Sequence, residues 1–492
     1  MKNSVPIRRL SSGVPGLDEV LGGGIPEFSF SLIAGGPGSG KTTLGHQIMF
    51  ANASPERRAV YFSIIGEPPI KMLRYQQQYD FFDTAKVGDG SVRFIYLGQE
   101  ALDGGMKRVL EAIVAEIERS SPSIVVVDSF RAMVRAARAA GPNAELDLTD
   151  FMQRLALALT SYEATTFLIG EYGEGESDGA VFTVADGLIW LHQAVDRNSV
   201  VRKLHVMKMR GQGQIPGLHT TRISSSGFRV FPRLLKPAEI SSERPLENRL
   251  STGVPGLDEL MGGGIPSGYS VLVAGPSGSG KTVLSNQFIV EGVQRGENGI
   301  VAVFEKRPND YLHTTPRGEE FEKLVRERKL EVVYIRPLDL SIDETLVELQ
   351  NAVKRVGAKR AVIDSLSGLE LALAPTFRED FRESLYRMMG ALTGLGVTVM
   401  ATVELEDSYT KLRFSPQGIA FLADVILIQR YVEIDAQLRR ALSVVKVRSS
   451  QHSKELREYE ISEDGGIVVG QALEGYEGLL TGTPRSGEKG SR

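Results

Sequence analysis

Cysteine is absent from the 492-residue chain, which excludes disulfides, thiolate metal sites and a cysteine nucleophile. Histidine is sparse: the six residues include no H-x-x-x-H pair that would place two imidazoles on one helix face, so no zinc site is expected. A strong charge of either sign is missing too, with a formal net charge of −4 and a pI of about 6.0. No overall basic field advertises nucleic acid, and a single tryptophan offers little for stacking bases. No apolar run approaches the roughly 20 residues needed to cross a bilayer. The opening MKNSVPIRRL lacks the apolar stretch of a secretion signal. The expectation is a cytoplasmic protein with neither membrane nor nucleic acid as partner.

What remains is an ordinary globular composition, 42% hydrophobic and 24% charged. The length exceeds what one compact core accommodates. A duplication explains it. Residues 10–50 and 250–290, aligned at a constant offset of 240, are identical at 24 of 41 positions without a gap. A repeat of that size is a duplicated domain, because each copy is large enough to bury its own core. The polar segment PRLLKPAEISSERPLENR at 232–249 carries three prolines and reads as an exposed linker. The organisation expected is a first domain over 1–235, a second over 236–474, and a disordered tail over 475–492.

Each half alternates short β-branched runs with amphipathic stretches such as 105–119 and 346–356. The runs are SFSLIAG, AVYFSII, VRFIYL, SIVVVD, TTFLIGE and DGLIWL, then SVLVAG, GIVAVFE, EVVYIR, RAVIDS, VTVMATVE and DVILIQR. Near-continuous apolar strands alternating with helices predict an α/β fold: two tandem, mostly parallel sheets covered by helices on both faces. KLHVMKMR and ALSVVKVR are expected to pair antiparallel at a sheet edge.

The first strand of each half runs into a glycine-rich loop. Gly35, Gly36, Pro37, Gly38, Ser39, Gly40, Lys41, Thr42 and Thr43 form one copy, and Gly275, Pro276, Ser277, Gly278, Ser279, Gly280, Lys281, Thr282 and Val283 the other. Both satisfy G-x-x-x-x-G-K-[ST] between a strand and a helix. Glycines let backbone N–H groups wrap an anion, and the helix N-terminus adds a positive dipole. Lys41 and Lys281 are expected at the β- and γ-phosphates, and Thr42 and Thr282 on Mg²⁺. A chance turn would explain one match but not two in the same context. Asp128 and Asp364 each close a buried strand. Following a P-loop, such an aspartate is expected to hold a Mg²⁺ water, although taken alone it reads as a strand-end turn.

The P-loops, the Asp-Ser after an apolar strand and the lead-in G-V-P-G-L-D-E…G-G-G-I-P together resemble the KaiC family, RecA-like ATPases whose full-length members fuse two domains. LHVMKMRG at 204–211, LRRALSVVKVR at 438–448 and EGLLTGTPR at 477–485 extend the resemblance. It implies a homo-oligomer, a hexamer of two stacked rings, with ATP and Mg²⁺ between neighbouring subunits and partners at the tail and ring faces. In such rings Lys208, Arg210, Lys446 and Arg448 reach the neighbour's triphosphate; the plainer reading is solvated edge-strand cations. Glu171 and Glu404, ending the next strand, either sense the γ-phosphate or are polar strand ends.

The copies diverge where hydrolysis needs a water-orienting group. The family places adjacent glutamates there, in a pattern like Y-x-S-x-E-E-x-P. The second half keeps Glu305 and has Lys306 in the next position. With the prolines aligned, the first half has Gly66 in place of the first glutamate and one extra residue before it; Glu67 is the compensating candidate. The second domain is therefore expected to be the better hydrolase. Clock members also autophosphorylate a Ser-Thr pair, where this chain has Ala420 and Phe421. Ser408, Thr410 and Ser415 lie upstream as alternative acceptors. The functions weighed are a ring ATPase acting as a signalling or timing module, a Ser/Thr autokinase, a DNA-acting RecA-like recombinase or helicase, and a scaffold glued by ATP.

Overall fold

The computed structural model describes residues 7–64, 69–129, 144–173, 179–196, 199–233, 248–314, 318–335, 340–378, 381–405, 422–479 and 485–486. Residues 1–233 and 234–492 form two compact units. In the first, the main strands are β1 (Phe30–Gly35), β2 (Ala59–Ser63), β3 (Val92–Tyr96), β4 (Ile124–Asp128), β5 (Thr165–Glu171), β6 (Gly187–Asp196), β7 (Ser199–Met209), β8 (His219–Ser224) and β9 (Gly227–Phe231). They form one sheet in the order β9-β8-β7-β6-β1-β5-β4-β2-β3. In the second unit β10 (Ser270–Gly275), β11 (Gly299–Val303), β12 (Leu330–Tyr334), β13 (Arg360–Asp364), β14 (Thr398–Glu404), β15 (Val425–Ile434), β16 (Gln437–Val447), β17 (Leu456–Ile461) and β18 (Ile467–Ala472) repeat that order strand for strand. The first six strands of each unit pair in parallel and the last three antiparallel.

The near-continuous apolar runs are explained by burial on both faces. Along β1, β4 and β5, Ile33, Val126 and Phe167 face the helix α1 (Lys41–Asn52) through Leu44 and Ile48. Their neighbours Leu32, Val125 and Leu168 turn to the opposite face and pack with Val109, Ile113, Leu155 and Leu159. Successive side chains alternate between faces, so both sets must be apolar. Each buried side chain of this size contributes roughly 1.5–3 kcal/mol. The second unit repeats the two layers, with Val273, Val362 and Met400 against Leu284 and Phe288 of α2 (Lys281–Gln294). The other layer joins Leu272, Ala361 and Val399 to Leu346, Leu349, Leu385 and Met388. The stretch read as helical at 346–356 is the end of Ile342–Val356, started by Ser341, whose hydroxyl accepts from the Glu344 N–H at 3.1 Å.

The repeated lead-in is a clasp. Arg9–Leu10 pairs antiparallel with Ile25–Pro26, and Arg249–Leu250 with Ile265–Pro266. Asp18 accepts from Ser12 N at 2.8 Å and Ser11 Oγ at 2.7 Å; Asp258 accepts from Thr252 N at 2.9 Å and Ser251 Oγ at 2.7 Å. Gly24 and Gly264 have φ of +116° and +110°, and a Cβ there would stand 2.6 and 2.5 Å from the carbonyl oxygens of Leu10 and Leu250. Only glycine fits this close approach.

One expectation changes. β7 and β16, which carry KLHVMKMR and ALSVVKVR, do pair antiparallel, with β6 and β15, but they are not edge strands. β8–β9 and β17–β18 lie outside them. Tyr476–Glu477 pairs with Arg485–Ser486, and Leu479 packs near Val432, Ile434 and Ala441. Among the described residues no helix is long and apolar enough to cross a membrane.

Candidate nucleotide sites

Both glycine-rich loops sit at the carboxyl end of the central strand and lead directly into a helix. Gly40 and Gly280 precede α1 and α2 with φ of +99° and +95°. A Cβ on Gly40 would come within 2.5 Å of Ile223 Cδ1, and one on Gly280 within 3.0 Å of Ile461 Cδ1. The exposed N–H groups of the first helical turn thus point into the loop. Lys41 Nζ donates to Gly36 O at 2.6 Å, and Lys281 Nζ donates to Gly275 O at 2.9 Å and Pro276 O at 2.7 Å. Burial lowers the pKa of both ammonium groups; Glu171 and Asp128 oppose this at Lys41, and Glu404 and Asp364 at Lys281. Ser39 Oγ closes the first loop by donating to Gly36 O at 2.8 Å, and Ser279 Oγ lies 3.3 Å from Gln429 Oε1 in the second. Pro37, Gly38, Thr43, Ser277, Gly278 and Val283 fall on the same loop-to-helix junctions.

The aspartates meet the loops where the sequence expected them. Thr42 Oγ1 donates to Asp128 Oδ2 at 2.8 Å, and Thr282 Oγ1 donates to Asp364 Oδ2 at 2.9 Å. A hydroxyl and a carboxylate beside a phosphate loop are hard oxygen donors that suit Mg²⁺. Burial raises the pKa of Asp128, against the hydrogen bonds from Tyr61 and Thr42. Glu171 and Glu404 pair in register with Gly35 and Gly275, the first loop glycines. Their charge reaches the loop lysines.

In the second unit a cavity of about 410 Å³ joins these parts. Its lining includes Lys281, Thr282, Asp364, Glu404, Glu305 and Lys306. Glu305 Oε1 accepts from Ser365 Oγ at 3.3 Å, which places the carboxylate next to the aspartate strand. Val303 pairs with Asp364 and Ser63 with Asp128, so β2 and β11 correspond residue for residue at an offset of 240. Carried on in sequence, that offset sets Ile65, not Gly66, opposite Glu305, and Pro68 opposite Pro308. Gly66 and Glu67 lie outside the described residues, as do Ser408, Thr410, Ser415, Ala420 and Phe421.

Lys208, Arg210, Lys446 and Arg448 are not at their own domain's loop. Lys208 Nζ donates to Ala185 O at 2.5 Å and Phe182 O at 3.3 Å, and Arg210 pairs with Asp186 at 3.1 Å. Lys446 donates to Ala423 O at 2.6 Å, and Arg448 pairs with Asp424 at 3.0 Å. Asp186 and Asp424 accept from the N–H groups of Phe30 and Ser270, the first residues of β1 and β10. These cations therefore stand at the amino edge of the sheet, opposite the P-loop. Burial lowers the lysine pKa in both pairs, helped by the adjacent arginine.

Sequence reasoning missed three supporting residues. Tyr61 Oη donates to Asp128 Oδ2 at 2.5 Å, and Thr402 Oγ1 donates to Asp364 Oδ1 at 2.6 Å. Tyr459 Oη, on β17, donates to the carbonyl of Ser279 within the second loop. All three come from strands distant in sequence, and no local motif signals them.

The comparisons with known proteins agree with this geometry. The family model described as "ATPase: KaiC" matches twice, over residues 10–234 and 250–474. The chain is 27% identical over 486 residues to the circadian clock oscillator protein KaiC of Picosynechococcus, covering 97% of this chain and 92% of that one. It is 26% identical over 487 residues to the same-named protein of Rippkaea orientalis, with 97% and 92% covered. Against circadian clock oscillator protein KaiC 1 of Synechocystis it is 25% identical over 485 residues, again with 97% and 92% covered. With two RecA-like α/β units, a phosphate loop in each and the family model matched on both, this chain belongs to the KaiC family of ATPases.

Proposed function

We propose that the protein binds and hydrolyses ATP as a homo-oligomeric, hexameric ring and serves as a signalling or timing module, with Mg²⁺ held by Thr42 and Asp128 in one domain and Thr282 and Asp364 in the other. Lys41 and Lys281 bind phosphate, and the metal neutralises charge on the triphosphate. The second domain is the principal hydrolase. The observation that carries this reading is Glu305, which lines one cavity with Lys281, Thr282 and Asp364. A carboxylate there orients water for attack on the γ-phosphorus and takes up its proton. The first domain binds ATP chiefly to hold the ring together.

The position of the K-x-R cations supports hydrolysis at subunit interfaces. Lys208, Arg210, Lys446 and Arg448 sit at the sheet edge opposite their own phosphate loops. They serve a triphosphate on the adjacent subunit, stabilising charge that develops in transfer. Autophosphorylation is disfavoured, since Ala420 and Phe421 carry no hydroxyl. Glu305→Gln is the test: turnover should fall by about 10²-fold or more while nucleotide binding persists. Wild-type turnover in that variant would overturn the assignment.

A further inference from the structure

Lys306 follows Glu305, is exposed, and lines the second-domain cavity. The charged side chains of that lining are two cations, Lys281 and Lys306, and three carboxylates, Glu305, Asp364 and Glu404. A polyphosphate therefore enters against a net negative lining, and Lys306 is half of the side-chain positive charge that the chain's own lining supplies. The P-loop has its own lysine, so the second cation serves a different part of the ligand.

The sheet order says which part. The loop follows β10. On one side of it, β15 brings the Tyr431 hydroxyl within 2.9 Å of a Cβ position on Gly278, and β17 brings Ile461 against Gly280. On the other side come β14 with Glu404, β13 with Asp364, and β11, whose end leads to Glu305 and Lys306. The Thr282–Asp364 pair marks the β/γ-phosphate region. Anything further toward β11 meets the terminal phosphate, and the nucleoside lies on the opposite side.

We infer that Lys306 is a specificity-determining residue that binds the terminal phosphate and lets the second site prefer a nucleoside triphosphate over the diphosphate. The inference rests on reading this cavity as an ATP site. A cation beside the γ-phosphate meets charge that ADP lacks, so its contribution appears in ATP affinity alone. Both groups are solvent-accessible, so salt screens the effect. The neighbouring Glu305 keeps its water-orienting role.

The test uses the full chain, with Lys281→Ala protein measured in parallel to subtract the first site, and equilibrium binding of fluorescent adenosine β,γ-imidotriphosphate and fluorescent ADP. Lys306→Gln should weaken the triphosphate analogue about five- to tenfold, leave ADP within about twofold, and narrow its deficit as salt rises. Lys306→Arg should restore the preference. Equal weakening of both nucleotides would reveal a merely structural lysine, and no change in either would also overturn the inference. If the unmutated second site binds neither nucleotide, the ATP-site reading itself falls.

Discussion

The phenol of Tyr61 donates to Oδ2 of Asp128, the same carboxylate oxygen that accepts from Thr42. The second domain reaches its aspartate from the other flank. Val301 occupies the register position of Tyr61, and Thr402, one strand over, donates instead to Oδ1 of Asp364. Two copies of one fold thus orient the same carboxylate through different neighbours. Burial and the facing Asp128 raise the Tyr61 pKa well above its ordinary value, so the phenol keeps its proton and remains a donor at neutral pH.

Tyr61→Phe removes a hydrogen bond to a charged acceptor without opening a cavity. The expected loss is about 1.5–3 kcal/mol of first-domain stability in nucleotide-free protein. Thr402→Val should act similarly on the second domain. Chemical unfolding of each single variant, followed by a probe in each domain, checks both; an unmoved transition in the mutated domain would refute the assigned bond.

His46 makes a pH-dependent prediction. The ring is buried between Tyr61 at 4.5 Å and Phe94 at 5.7 Å, and burial lowers its pKa to about 4 from 6.5. The unfolded chain therefore binds a proton between those values and the folded chain does not. Stability supplied by the neutral ring is complete above the unfolded pKa and is lost as pH falls from 6.5 toward 4, by roughly 3 kcal/mol. His46→Phe should flatten that part of the first domain's stability curve relative to wild type. Parallel curves would contradict it.

The strands and P-loops were legible because they are local. IVVVD and AVID are apolar runs ending in the aspartate that accepts from the loop threonine, and G-x-x-x-x-G-K-T carries its own geometry. HTTRIS and GFRVF, which make β8 and β9, were not among the expected strands. HTTRIS carries a single apolar residue and GFRVF is short; β8 is organised by pairing with β7, and β9 by pairing with β8. Tyr61, Thr402 and Tyr459 escaped for a related reason. Each acts across the sheet, through a register that only the folded chain defines.

Arg360 illustrates divergence of the copies in the core. It is fully buried, at the register position that Ile124 holds in the first domain. Its guanidinium donates to Glu297 at 2.7 Å and to the carbonyls of Ser251 and Phe288 at 2.7 Å, and lies 4.5 Å from the Phe288 ring. Gly292 leaves the room, since a Cβ there would stand 2.3 Å from the Arg360 side chain. Truncation leaves two carbonyls and a carboxylate without their donor, so Arg360→Ala should cost roughly 3–5 kcal/mol of second-domain stability. Glu297→Gln should cost less, because that carboxylate is partly exposed and an amide oxygen still accepts. Denaturant unfolding separates the two; equal costs would mean that the ion pair, not the carbonyl contacts, dominates.

Lys446 and Arg448 allow a direct test of catalysis across subunits. Within their own chain they are tied to Ala423 and Asp424, which brace the amino end of β10. The phosphate loop begins at the other end of that six-residue strand, roughly 20 Å away. No rotamer of either side chain spans that distance. A chain carrying Lys281→Ala retains the cations but not the second phosphate site. A chain carrying Lys446→Ala and Arg448→Ala retains the site but not the cations. Each alone should show only first-domain turnover. Mixed in equal amounts and allowed to exchange subunits, they should recover about a quarter of the second-domain turnover, since that share of neighbouring pairs joins an intact site to intact cations. Native mass spectrometry confirms that mixed assemblies have formed. Recovery means the cations act in trans, whereas mixed rings without turnover would return them to the role of sheet-edge braces.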